Sequence, residues 1–301
     1  MFGPTRRSHS FAKPSIVFCL LCACLGFSAS SQEQKSKPIV SIVELRTRAE
    51  SGDALAQHDL FKFLSQQDSY APGYDIALDW LRRLTLDNHP DALYLLGFLY
   101  EHGHGLRRDY AKAAENYQAA ALLGNHFAQN NLASLYQHGQ GVPKSVGKAM
   151  ELYLASARHG NPIAQCNLAS LYFIGSDIPR DLSEAARWFR AAAEQHYPPA
   201  QHNLAVLYFK GLGVPVDYAE ALAWERLAAD QHYPEAETGL AYVYETGKGV
   251  PLDYVAAFAW YSRASLHGDR AASERLKLLS HLMTQRQLDE ARVLLPKLSA
   301  N

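Results

Sequence analysis

Apolar residues along this chain fall at helical spacing, and the spacing itself recurs. Ala128, Leu132, Leu135 and Tyr136 stand at i, i+4, i+7 and i+8, the stripe that buries one face of an α-helix. The set returns as Ala164, Leu168, Leu171 and Tyr172, and again as Ala200, Leu204, Leu207 and Tyr208. The leading alanine runs further, at positions 56, 92, 128, 164, 200, 236 and 272, always 36 residues apart. A fixed period of this size predicts stacked supersecondary units.

Each unit carries its own punctuation. Gly103, Gly139, Gly175, Gly211 and Gly247 follow the first helix, here helix A, and glycine accepts the left-handed turn that ends helices. A second glycine comes two residues later in four of the five units, with Asp177 in the other. Prolines 143, 179, 215 and 251 then keep the connection extended. Asp109, Ser145, Asp181, Asp217 and Asp253 are N-cap residues for a second helix, helix B. The pairs Asp181…Glu184 and Asp217…Glu220 match a capping box. Helix B ends near Gly124, Gly160, His196, His232 and Gly268, and prolines 90, 162, 198 and 234 open the next helix A.

The period weakens at both ends. Ala56, Leu60, Ala77 and Leu81 keep phase while the loop SQQDSYAPGY loses the paired glycines, so unit 56–91 is degenerate. A lone helix is expected over 39–50, and Ala272 and Leu276 lead into a further helix with a closing one over 288–295. Terminal repeats must present a polar outer face, so atypical ends are expected. The predicted fold is all-α, a right-handed α/α superhelical solenoid of about seven helix pairs. Its units run over 56–91, 92–127, 128–163, 164–199, 200–235 and 236–271, with a C-terminal cap at 272–301.

The first thirty residues read differently. Arg6, Arg7 and Lys13 precede an apolar run of twelve residues, Ile16 to Phe27, followed by small Ser28, Ala29 and Ser30. The run is short for a membrane helix of about 20 residues and fits a secretory leader. Residues 1–30 are expected to be a cleaved signal peptide, 31–37 a linker, and 38–301 the solenoid. Two variants stand beside this. Arg6-Arg7 suggests twin-arginine export, though His9 and Ser10 follow where apolar residues are usual. Leu21-Cys22-Ala23-Cys24 resembles a lipoprotein box with Cys24 as the lipidated residue, the one route by which a membrane partner is expected. The mature chain is then periplasmic or secreted.

Composition adds exclusions. The chain has 301 residues, 48% hydrophobic and 20% charged, enough for a large core. Loss of Arg6, Arg7 and Lys13 leaves 26 basic residues against 30 acidic ones, so nothing favours nucleic acid or anionic membrane. Cys19, Cys22 and Cys24 leave with the leader and Cys166 stays alone, so no intramolecular disulfide can form.

At these columns the chain resembles the Sel1-like repeat family, a branch of the tetratricopeptide class. Its signature, A-x3-LG/A-x2-Y-x2-G-x-G-V-x-x-D-x3-A-x2-W/Y-x2-A-A, is matched at 92–126, 128–162, 164–198, 200–234 and 236–270. The resemblance implies a helical scaffold that binds proteins, with envelope-assembly, secretion or host-interaction roles for exported bacterial members. Secreted cysteine-rich members pair cysteines within each repeat. This chain lacks those pairs, so penicillin binding does not carry over.

Candidate chemistry is absorbed by the columns. Ser145-Val-Gly-Lys148 matches S-x-x-K of penicillin-recognising enzymes, but Ser145 occupies the column of N-cap aspartates and no partner motif follows. A β-lactamase-like hydrolase is therefore the remote alternative, open to a nitrocefin assay. His102-Gly103-His104 lies in a loop without a nearby Cys or an HExxH helix, so no metal and no cofactor are expected. Gly247-Lys248-Gly249 lacks P-loop spacing. Gln57, Gln129, Gln165 and Gln201, with Asn131, Asn167 and Asn203, form amide columns that can bond backbone of neighbouring repeats or recognise a peptide backbone.

One departure from the period remains. Helix A positions two, six and nine after the repeat alanine point away from the Ala/Leu/Leu/Tyr face. They include Tyr94, Phe98, Phe173, His202, Val206, Phe209 and Tyr242 among otherwise polar or small residues. Exposed apolar groups on such a face suit a peptide or helix in a concave groove; packing between adjacent helices A would explain them equally. The expectation is a non-enzymatic scaffold with a protein partner, with a secreted host-interaction factor as the alternative destination.

Overall fold

A computed structural model of the chain describes residues 40–67 and 70–298. The expected leader, the linker and Cys24 lie outside them. Among the described residues there are fifteen helices and no strand. A lone α1 (Val40–Glu50) precedes seven helix pairs. The first pair is α2 (Ala54–Gln66) with α3 (Tyr74–Leu86). Five regular pairs follow: α4 (Pro90–His102) with α5 (Tyr110–Leu122), α6 (His126–His138) with α7 (Val146–Arg158), α8 (Pro162–Ile174) with α9 (Leu182–Ala193), α10 (Pro198–Lys210) with α11 (Tyr218–Asp230), and α12 (Pro234–Thr246) with α13 (Tyr254–Leu266). The last pair is α14 (Arg270–Ser280) with α15 (Gln285–Leu298), and α15 begins three residues before the sequence pattern places it.

The period survives because its alanines sit where helices touch. All seven repeat alanines are 0% exposed, so any larger side chain there would push a helix off its neighbour. Leu132, Leu168, Leu204 and Leu240 bury the same stripe; from α1 to α14 each helix packs on the next in chain order, and α15 packs back on α13. The buried apolar residues form four successive clusters along the array.

Helix ends follow local chemistry. Asp217 accepts from the amides of Ala219 and Glu220 at 2.9 and 3.0 Å, and Asp109, Asp181 and Asp253 cap their helices in the same way. The capping box is formed only in this direction. The Asp181 amide donates to the Tyr172 carbonyl and that of Asp217 to the Tyr208 carbonyl, so neither needs the glutamate. Glu184 and Glu220 instead accept from the Trp188 and Trp224 indoles at 3.1 and 3.0 Å. The second loop glycine answers to tertiary packing as well as to φ. A Cβ on Gly141, whose φ is 68°, would lie 2.2 Å from the Tyr110 carbonyl carbon at the start of α5.

Candidate functional site

The helix A residues singled out by the sequence divide into buried and surface groups. Phe98 is 8% exposed and stacks on His102 at 4.1 Å between ring centres; His202 is 9% exposed. Both are packed groups rather than the open contacts expected of a groove lining. Tyr94 is half-buried between Tyr117 and Phe127, with ring centres 5.9 and 6.0 Å away. Phe173, Val206 and Phe209 are half-buried, and Tyr242 is 38% exposed. Phe209 and Tyr242 meet edge to face at 6.1 Å, from α10 and α12, which touch directly. Two of these rings carry a cation. Arg180 lies over Phe173 at 5.3 Å and Lys248 over Phe209 at 5.4 Å.

Position nine is governed by what faces it from helix B. Tyr117, Tyr153 and Tyr261 donate to Glu101, Gln137 and Glu245 at 2.6, 2.9 and 2.8 Å. In the unit where this tyrosine is Phe189, the acceptor position is Phe173; where it is Glu225, the acceptor position is Phe209. The pairing was legible by comparing columns sixteen residues apart, across a loop, where helical periodicity gives no hint.

Glu225 therefore replaces an aromatic in the core of its unit. It is 5% exposed, and both carboxylate oxygens lie 3.1 Å from His202 Nδ1. Room comes from Gly239, where other units have Asn131, Asn167 and Asn203: a Cβ there would sit 1.5 Å from Glu225 Oε1. Burial pushes the Glu225 carboxyl above its ordinary value against the pull of His202. For His202, burial acts downward, but the charge and hydrogen bond of Glu225 outweigh it and leave the imidazole raised.

The glutamine column is a structural ladder. Gln165 and Gln201 donate to the Ala157 and Ala193 carbonyls of the preceding helix B at 3.1 and 3.2 Å. Each then accepts from the next helix B, from Gln195 and Gln231, both at 2.8 Å. One unit later the ladder changes chemistry. Glu237, 0% exposed, has no N–H to give, and Arg263 supplies the missing donor to the Ala229 carbonyl at 3.1 Å. Arg263 Nε pairs with Glu237 Oε1 at 2.7 Å, while His267, in the place of Gln195 and Gln231, sets Nδ1 2.9 Å from Oε2. Arg263 Nη2 also reaches His232 Nδ1 at 2.9 Å, and Nη1 donates to the Leu298 carbonyl of α15.

The remaining sequence candidates have local jobs. Ser145 caps α7, accepting from the Lys148 amide at 3.4 Å, and the Lys148 ammonium lies over the Tyr136 ring. Cys166 is fully buried in the core. His102 bonds the Phe98 carbonyl at 3.0 Å. Among the described residues, no helix is long and apolar enough to cross a membrane.

Comparison with known proteins agrees with this geometry. The Sel1 repeat model matches five consecutive stretches, 90–125, 126–161, 162–197, 198–233 and 234–269. The fold is similar to that of a Sel1 repeat protein from Oxalobacter formigenes, with a TM-score of 0.64 and 28% identity over 73% of this chain and 88% of that one. It is also similar to a protective antigen of uropathogenic Escherichia coli strains that displays an SLR fold, with a TM-score of 0.47 and 26% identity over 86% of this chain and 71% of that one. No curated protein matches the sequence significantly. Sel1 repeats generally build protein-interaction scaffolds and are typically non-catalytic. With contiguous matches from residue 90 to residue 269, more than half of its length, this chain belongs to the Sel1 repeat family.

Proposed function

We propose that the protein is an exported scaffold that holds a segment of a partner protein along the helix A side of its central units. The observation that carries this reading is the apolar surface formed by Phe173, Val206, Phe209 and Tyr242. Half-buried Phe209 joined to exposed Tyr242 across two repeats offers rigid apolar area at low entropic cost. Arg180 and Lys248 above Phe173 and Phe209 favour a ligand that brings carboxylates beside its apolar side chains. Tyr94 and Phe127 give a second aromatic contact further toward the N-terminus. Export follows from the leader-like residues 1–30.

Replacing Phe173, Phe209 and Tyr242 together by Ser tests the surface. Partner recovery in cells, read by crosslinking and mass spectrometry, should be lost while circular dichroism stays unchanged. Recovery of the same partners by the triple variant would refute the proposal. Fractionation in the same experiment separates a periplasmic destination from secretion.

A further inference from the structure

We infer that His232, Glu237 and His267 form a binding site for a single borderline divalent cation, zinc or a metal of similar preference. One ligand atom from each residue lies within 4.8 Å of the other two, and two imidazoles with a carboxylate are a common zinc ligand set. Tetrahedral zinc with ligands at 2.0–2.2 Å keeps ligand atoms about 3.3 Å apart. Glu237 Oε2 and His267 Nδ1 stand 2.9 Å apart, so this pair opens by a few tenths of an ångström while the whole set closes from within 4.8 Å.

The units one step back show what is added here. Shifted by one period, the three residues read His196, Gln201 and Gln231, and the two amides bond each other. Amides suffice to hold that joint. At 232, 237 and 267 the same joint carries a carboxylate and a second imidazole. Arg263 holds Glu237 through Oε1 at 2.7 Å and leaves Oε2 on the side of His267. Fixing the non-ligating oxygen is the usual second-shell task. His232 Nδ1 accepts from Arg263 and so already presents a lone pair, which the metal takes in place of that hydrogen bond. Both imidazoles are on exposed residues, which gives ions an entry path and leaves a fourth position for water or a partner side chain. The positive charge of Arg263 opposes the ion, so the affinity expected is micromolar.

The test is a zinc titration of the mature chain against a competing fluorescent chelator, with cobalt absorption reporting the geometry. One equivalent should bind with a tetrahedral cobalt spectrum, and zinc should raise the melting temperature. The double variant H232G/H267Q restores residues found at equivalent positions of other units, Gly160 and Gln231, and is expected to fold. In it the affinity should fall at least about tenfold, as for damaged metal sites, and the zinc-dependent rise in melting temperature should vanish. Failure of the wild type to bind zinc in the micromolar range, or equal binding by the double variant, overturns the proposal and leaves the Arg263–Glu237 pair as a purely ionic joint.

Discussion

Glu225 occupies a position held elsewhere by Tyr117, Tyr153, Phe189 and Tyr261, and its neighbours are changed to match. Because both its carboxyl and the His202 imidazole titrate higher in the folded chain, the folded state binds more protons than the unfolded one. Stability from the pair is then full below the unfolded values and is lost as pH rises through the folded ones. Against the variant H202N/E225F, which restores residues seen at Asn130 and Phe189, the wild type should lose relative stability between about pH 5 and about pH 8. Thermal melts across that range decide it, and a constant offset would show that the pair is not the source. Gly239 gives a second expectation. Gly239→Ala places a methyl against Glu225 Oε1, so overpacking of about 1–3 kcal/mol should exceed the gain of about 1 kcal/mol in helix propensity. In a Glu225→Ala background the same change should be neutral or stabilising, which denaturant unfolding of both pairs would reveal.

Helices were legible to within a few residues because their ends are written in local chemistry. Pro90, Pro162, Pro198 and Pro234 each open a helix, and the aspartates at 109, 181, 217 and 253 each cap one. The capping box was misread because its N–H is satisfied by a tyrosine carbonyl nine residues earlier, a tertiary bond no local pattern shows. The site was legible only as a face. Position two of helix A is buried at Asn130, Cys166 and His202, and position nine answers to helix B. Apolar surface on this face therefore remains at Tyr94, Phe173, Val206, Phe209 and Tyr242, beside polar positions such as Ser134 and Thr238. Ser145 offers the sharpest element-scale prediction. It makes one long cap bond of 3.4 Å where aspartates make two near 3.0 Å. Ser145→Asp should stabilise α7 by about 0.5 kcal/mol through a fuller cap and the helix dipole. No gain in the unfolding midpoint would mean that the serine geometry is already sufficient.

In an array where each unit touches mainly its neighbours, stability is close to a sum of unit and joint terms, so a defect should act locally. The C-terminal joint is where this can be measured, because Arg263 alone ties Glu237, the Ala229 carbonyl and the Leu298 carbonyl together. Arg263→Leu introduces the residue found at 227 one unit earlier but leaves the buried Glu237 carboxylate with His267 as its remaining partner, at a cost of about 3–5 kcal/mol. The loss should fall on α12 to α15, which would exchange amide hydrogens faster while α4 to α9 keep their protection. Adding Glu237→Gln rebuilds the amide of Gln165 and Gln201, with its donor for the Ala229 carbonyl, and should recover most of the loss. Uniform loss of protection along the chain would show that the solenoid unfolds as one cooperative body, and failure of the second change to rescue would show that Arg263 acts chiefly through α15. A graded, C-terminal response with rescue would mean that the ionic joint is an amide rung rewritten in charge, held in place by the same repeat geometry that sets the alanine period.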